Sequence, residues 1–431
     1  MYPNLYYVFK DLFGVEWKVL AILNTFGLMM AISFVICAVV LSYELKRKEQ
    51  QGLLLPREET VTVGQPASLA DLIINFLTGF VFGFKLIGFI IDKPADPQSY
   101  IFSKEGNIWA GLGLGLVLMG FKWWEKNKQK LKTPEHRNIR IWPHDRVGEI
   151  VILALVFGIL GAKLFDNLEN WEDFVQDPIG RIFSPGGLTF YGGLILAAAA
   201  IIWYAIKKGI KLIHLVDALC LTMMLAYALG RVGCQISGDG DWGIYNSAYI
   251  TTANGKVVEA APGEYEAQLE RYQNYFLQGE VFDSVTMKVT SYNGRTSPSL
   301  DKVPHKSFKA PSFIPVWMVA YNYPQNVNSD GVNFAGRTDE HNKVLPVPVF
   351  PTPFYEISIC LILFLILFAL RRKIKTAGMM TGIYMILNGL ERFVVEKIRV
   401  NSEYHFFGLH PTQAEIISFI LIVSGIIMIL V

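Results

Sequence analysis

The chain has 431 residues, of which 52% are hydrophobic and 18% charged, with a formal net charge of +2. That is a membrane composition, for which no nucleic-acid partner is expected; the net charge itself says nothing about partners. The 4 cysteines (Cys37, Cys220, Cys234 and Cys360) lie in or beside apolar runs without a CxxC pair, which excludes a disulfide framework or a zinc site.

Apolar runs follow one another over roughly Val19–Leu41, Leu72–Ile91, Ile108–Phe121, Ile150–Phe165, Leu188–Ile206, Leu212–Leu229, Phe354–Leu370, Gly378–Val395 and Thr412–Val431. Several are short against the ~20 residues that cross a hydrocarbon core, Ile108–Phe121 most of all. They predict an all-α, polytopic integral membrane bundle of about nine transmembrane helices. The first run has no basic stretch before a short apolar core, so it reads as a retained helix, not a cleaved leader.

Basic loops at Lys46-Arg47-Lys48, Lys122 to Arg146, Lys207-Lys208 with Lys211, and Arg371-Arg372-Lys373 with Lys375 fall on alternate sides of these helices. Read as cytoplasmic, they predict an N-out, C-in topology. The chain divides into residues 1–48 (first helix), 49–145 (an added two-helix hairpin with a basic cytoplasmic segment), 146–245 (membrane core), 246–350 (a small extracytoplasmic insertion) and 351–431 (the last membrane helices). Within the insertion, Glu264–Phe276 has helical spacing and Val281–Tyr292 alternates weakly like a strand.

Chemistry concentrates where charge enters apolar sequence. Arg231, between Gly230 and Gly233, ends the Leu212 run, and Arg392 holds the same kind of position in the Gly378 run. Ionisable groups at such depth face a cavity or a partner, and a planar guanidinium fork matches phosphate oxygens. Arg392, Glu396 and Arg399 share one helix face, while Glu391 points elsewhere. Lys163 and Asp217 are further polar groups inside apolar runs; Lys163 can snorkel outward and Asp217 has no such exit. Gly186-Gly187-Leu188-Thr189-Phe190-Tyr191-Gly192-Gly193 opens a helix with a phenol and little steric cover. Asp239 and Asp241 lie in a glycine-rich turn that lacks the closing Glu of a calcium loop, so no metal is expected.

In order, these features resemble the bacterial prolipoprotein diacylglyceryl transferase family. Thr189-Phe190-Tyr191-Gly192-Gly193 is similar to its Ser-Phe-His-Gly-Gly segment, and Gly230-Arg231-Val232-Gly233-Cys234-Gln235 to its Gly-Arg-x-Gly-Asn-Phe signature. Arg392-Phe393-Val394-Val395-Glu396-Lys397-Ile398-Arg399 resembles its Arg-Phe-x-x-Glu-Phe-x-Arg helix. Gly161-Ala162-Lys163-Leu164 and Thr25-Phe26-Gly27-Leu28 resemble Gly-Ala-Arg-Leu and Trp-Tyr-Gly-Leu. The family's His-Pro-Ser-Gln-Leu-Tyr-Glu matches either Phe350 to Glu356 or His410 to Glu415, and chain order favours the first, which carries Tyr355 and Glu356. The departures are Tyr191 for His, Cys234 and Ser237 for Asn, Phe26 for Tyr, and Lys163 for Arg.

The resemblance implies a cofactor-free transferase of the bacterial inner membrane, with its active groups near the outer leaflet. It would move the diacylglyceryl group of phosphatidylglycerol to the lipobox cysteine in the signal peptide of a prolipoprotein, releasing glycerol phosphate. Arg231, Arg392, Tyr191 and Asp239 would be catalytic. Gly192, Gly193, Gly230, Gly233, Glu396, Arg399, Lys163, Asp241 and Glu356 would shape the substrate site. The replaced histidine leaves a second reading: a non-catalytic paralogue that binds anionic lipid or lipoprotein precursors.

Overall fold

The computed structural model describes residues 1–92, 94, 100, 103–184, 186–240, 242–277, 281–283, 288–290, 299–333, 341–399 and 411–430. The chain is a multi-pass helical membrane protein. Each apolar run forms a helix: α1 (Thr25–Gln50), α2 (Leu69–Asp92), α3 (Ile108–Lys128), α4 (Val147–Glu169), α5 (Phe190–Lys208), α6 (Leu212–Ser237), α7 (Thr352–Leu370), α8 (Met379–Glu396) and α9 (Gln413–Leu430). Among the described residues, 7 helices are long and apolar enough to cross a membrane. Outside that set are α3, whose last turns hold Lys122, Glu125, Lys126 and Lys128, and α8, which carries Glu391, Arg392 and Glu396.

Two compact units make up the chain. The first comprises Met1–Val8, Leu23–Glu44 and Ile213–Val431, and so holds most of α1, with α6 to α9 and the insertion. Its membrane core packs Leu221, Met224 and Ala228 of α6 on Cys360 and Leu367 of α7 and Met380 of α8. Small residues bring α8 and α9 together: a Cβ on Gly382 would stand 2.9 Å from the Gly425 carbonyl, and one on Gly389 2.8 Å from that of Ser418. Such close backbone approach is how helices pack in lipid, where no hydrophobic force drives them together. Asp217, buried in α6, finds its outlet here by accepting from the Gly378 and Thr381 amides (3.0 and 3.1 Å) and the Thr381 hydroxyl (2.7 Å). It thereby satisfies the orphan donors at the start of α8 and places a negative charge at the positive end of that helix.

The insertion is folded. Trp242, Tyr245, Tyr265, Leu269, Phe276, Tyr323 and Leu345 build its main core, and Ala248, Tyr249, Val319 and Ala320 a second. Short strands replace a large sheet: Tyr245–Asn246 runs parallel to His305–Lys306, and Tyr249–Thr251 antiparallel to Val257–Glu259. The expected helix is present as Glu264–Arg271 and Gln273–Leu277. The expected strand is a hairpin pairing Val281–Asp283 with Lys288–Thr290; residues 284–287 and 291–292 lie outside the described set.

The second unit, Phe9–Ile22 and Leu45–Leu212, holds α2 to α5. Two charged strands, β1 (Arg57–Val63) and β2 (Glu135–Ile141), pair antiparallel from Arg57↔Ile141 to Val63↔Glu135. Glu59 fastens them to the helix ends through Arg146 (2.7 Å) and Lys208 (3.1 Å). The Lys208 hydrogen bond, then the Arg146 charge, hold the Glu59 carboxyl below the usual range.

Candidate functional site

In the first unit, three arginines meet on one buried carboxylate. Glu356 lies one turn into α7, whose start is set by the Pro351-Thr352-Pro353 stretch, with proline in the first turn. Its side chain is fully buried, and its oxygens stand 2.8 Å from Arg231 Nε and 3.3 Å from both Arg392 Nη1 and Arg399 Nη1. The Tyr227 hydroxyl donates to it at 2.9 Å. Tyr227 is one turn before Arg231 on α6, and its ring lies 5.7 Å from that guanidinium. Glu396 meets Arg392 Nη2 at 3.4 Å, the i, i+4 pairing expected from the spacing.

Three guanidiniums this close repel unless a carboxylate stands between them, and a buried carboxylate is tolerable only when its lone pairs are taken up. Glu356 meets both needs. Arg231 and Arg392 keep 16% and 24% of their side-chain surface exposed. Arg399 is held from the other side, because Gly243 bridges to it and the Ile244 amide donates to the Ile398 carbonyl at 2.9 Å. Gly243 also donates to Phe350 at 2.9 Å, tying the turn after the Arg231 motif to the chain entering α7.

The Gly-Arg-x-Gly motif is built around close packing. A Cβ on Gly233 would meet the Phe26 ring at 3.1 Å and Met29 at 3.3 Å on α1, and one on Gly230 would meet Met30 Sδ at 3.6 Å. Cys234 places its sulfur 3.9 Å from both Arg231 Nη1 and Asp239 Oδ2, linking them weakly. Ser237 donates back to the Gly233 carbonyl at 2.9 Å and is fully buried, a structural fate. Gly238 at φ +70° ends α6, and the Asp239 amide returns to Cys234 O at 3.0 Å, leaving the Asp239 side chain half-buried at the turn. Asp241 lies outside the described residues.

Tyr191, Gly192, Gly193 and Lys163 belong to the second unit. Gly192 and Gly193 face the α4 backbone: a Cβ on Gly193 would stand 2.8 Å from the Gly158 carbonyl, and one on Gly192 would collide with Phe165 and Gly161. They let α4 and α5 touch. Lys163 Nζ donates to the Ser184 hydroxyl (2.9 Å), to Gly187 O (3.3 Å) and to Gly186 O, and so staples the loop that leads into the Tyr191 segment. Tyr191 is 38% exposed at the head of α5.

Sequence spacing missed one member of the first unit's cluster. Tyr227 carries no charge to betray it, although it stands at i−4 from Arg231. Glu391, the neighbour of Arg392 in sequence, is buried at 3%. The rival motif is placed differently: Glu415 pairs with Lys397 and accepts from the Thr412 amide at 3.1 Å, and His410 lies outside the described residues. In the insertion, burial pushes the Tyr265 and Tyr323 phenols well above the usual range and that of Tyr321 up to about 12, so none of them is a base near neutral pH.

A family model described as prolipoprotein diacylglyceryl transferase matches residues 108–431, three quarters of the chain. The chain belongs to this family. Relatives named phosphatidylglycerol–prolipoprotein diacylglyceryl transferase include one from Dehalococcoides mccartyi, 34% identical over 137 residues, covering 31% of this chain and 51% of that protein. Another, from Leptospira interrogans, is 26% identical over 181 residues (35% and 53%), and one from Bacillus cereus is 33% identical over 127 residues (29% and 44%). The chain thus spans about half the length of the curated relatives it matches.

Proposed function

We propose that this chain transfers the diacylglyceryl group of phosphatidylglycerol to the lipobox cysteine of a prolipoprotein signal peptide. It would work in the bacterial inner membrane, N-out and C-in, with the arginine cluster towards the outer leaflet. The thiol sulfur attacks the glycerol carbon that carries the phosphate. A carbon–sulfur bond forms, the carbon–oxygen bond breaks, and its electron pair leaves on glycerol phosphate. The thiol proton must go to a base, since a free thiol with a pKa of about 8.5 is mostly protonated near neutrality.

The nucleophile belongs to the substrate, so the protein need supply no catalytic Cys or Ser. Its tasks are to hold the phosphate, stabilise the charge that grows on the leaving oxygen, and accept a proton. The observation that carries this reading is the convergence of Arg231, Arg392 and Arg399 on the buried Glu356. Guanidiniums fixed beforehand in a water-poor setting act on developing charge without reorganising. Arg231 and Arg392 take the phosphate, Glu396 orients Arg392, and Glu356 with Tyr227 fixes the spacing. The thiol proton goes to Asp239, to Asp241 or to a water. On the family motif, Tyr191 hydrogen-bonds headgroup or thiol; a phenol with a pKa of about 10 serves better as donor than as base.

The test is turnover of purified protein in phosphatidylglycerol micelles with a lipobox peptide, read as glycerol phosphate release and peptide mass. Thioether product that is lost in Arg231→Ala, with the variant still folded, supports the transferase. Absence of product beside an active His-bearing relative, with lipid binding intact, replaces it with a binding protein.

A further inference from the structure

Residues Ala310 to Val319 of the insertion, Ala-Pro-Ser-Phe-Ile-Pro-Val-Trp-Met-Val, carry no charge. They form a closed loop with a built neck. Asn246, fully buried, donates from Nδ2 to the carbonyls of Phe308 (2.9 Å) and Val319 (3.0 Å), and its Oδ1 accepts from the Phe308 amide at 3.0 Å. Inside the loop, the Ile314 amide reaches Pro311 O at 2.9 Å and a turn of 3₁₀ helix covers Val316–Met318. Two prolines and a pinned neck make this a rigid projection.

Its outward side chains are the wrong ones for water. Ile314 packs inward on the Ala248–Tyr249 core, but Phe313 is 81% exposed and Trp317 42%. The loop also touches the membrane portion of its own unit. Trp317 stands edge-on to Phe354 with centroids 4.9 Å apart, and the Tyr355 hydroxyl donates to Met318 O at 2.6 Å. Both partners lie in the first turn of α7, one of the helices apolar enough to span. At 1.5 Å per residue the 19 residues of α7 reach about 28 Å, close to the hydrocarbon thickness. Its first turn therefore sits at the boundary between acyl chains and headgroups, where tryptophan is favoured. Lys306 and Lys309 are exposed just before the loop, Lys309 also meeting Glu259 at 3.0 Å.

We propose that the Phe313–Trp317 loop is a membrane anchor, inserting Phe313 and Trp317 into the leaflet that faces the insertion and so seating this domain on the lipid at the head of α7. The occupant of the apolar face is bilayer lipid, because the face adjoins the first turn of a helix apolar enough to span and is bordered by lysines that suit anionic headgroups. The inference rests on the membrane architecture alone and stands whether or not the chain is a transferase.

The experiment attaches an NBD fluorophore to Phe313→Cys in a Cys37→Ser background, the other three cysteines being buried. Ala253→Cys, on the exposed turn between Thr251 and Val257, is the comparison. Both are read in nanodiscs of phosphatidylcholine with or without phosphatidylglycerol. The expected result is several-fold weaker iodide quenching at 313 than at 253, with quenching by shallow doxyl-labelled lipid only at 313. Insertion in either lipid supports the anchor, and a requirement for phosphatidylglycerol adds a contribution from the lysines. Equal iodide quenching at both sites without lipid quenching overturns it. So does shielding that arises only in discs holding two protein copies and without lipid quenching, which would assign the face to a second copy.

Discussion

Glu356→Gln keeps the shape of the side chain and removes the charge on which the arginines converge. In the native protein that charge faces Arg231 at 2.8 Å and Arg392 and Arg399 at 3.3 Å, and it accepts from Tyr227 at 2.9 Å. Removing one partner of a buried ion pair costs about 3–5 kcal/mol. Two features reduce this: Arg231 and Arg392 retain 16% and 24% exposure and can recover water, and the Gln carbonyl still accepts one hydrogen bond. The expected loss of stability is therefore about 2–3 kcal/mol. Turnover should suffer more than stability suggests, because three like charges without their counter-ion move apart and no longer match one phosphate. A loss of about 100-fold, equivalent to about 2.7 kcal/mol of transition-state stabilisation, is the scale for misplaced donors. The assay pairs thermal unfolding in detergent with thioether formation on a lipobox peptide. Glu415→Gln, in the rival motif and paired with the exposed Lys397, should leave turnover within about twofold because surface ion pairs contribute little. Wild-type melting and turnover in Glu356→Gln, or damage confined to Glu415→Gln, would refute the reasoning.

Four further outcomes follow from particular contacts. Asp217→Ala strands the Gly378 and Thr381 amides inside the bundle and should cost about 1–3 kcal/mol, visible as a lowered unfolding temperature that Asp217→Asn partly restores. Glu59, its carboxyl held low by Lys208 and Arg146, contributes stability that is fully present above its unfolded pKa of about 4.3 and is lost as pH falls through the lower folded value. The unfolding temperatures of wild type and Glu59→Gln should accordingly differ at neutral pH and converge in acid; a constant gap would refute the linkage. Asn246→Ala releases both ends of the 308–319 loop, so limited proteolysis should cut there at least about tenfold faster, tracking its lowered opening free energy. Tyr191→Phe removes only a hydroxyl from a side chain that is 38% exposed, so melting should be unchanged while turnover falls about tenfold or more; unaltered turnover would remove the phenol from the proposal.

The sequence by itself determined the helices and the odd charges. Hydrophobicity is a local property, so each apolar run became a helix nearly in place, from Val19–Leu41, most of which lies in α1, to Thr412–Val431 around α9. Arg231 and Arg392 stood out because a charge in an apolar run needs a partner wherever the chain goes. Which partner was a tertiary matter. Glu356 is separated from Tyr227 by 129 positions and from Arg392 by 36, and no periodicity links residues on three different helices. Chain order already favoured Glu356 over Glu415, but only the structure set it against three arginines, gave Asp217 the N-terminus of α8, and brought Lys163 to the carbonyls of the loop before α5. It also spent Gly192, Gly193 and Gly233 on helix contact, because a missing Cβ reads the same in sequence whether lipid, ligand or another backbone fills the space. What buries a polar group is decided by whichever element lies across from it, and that is fixed only when the helices pack.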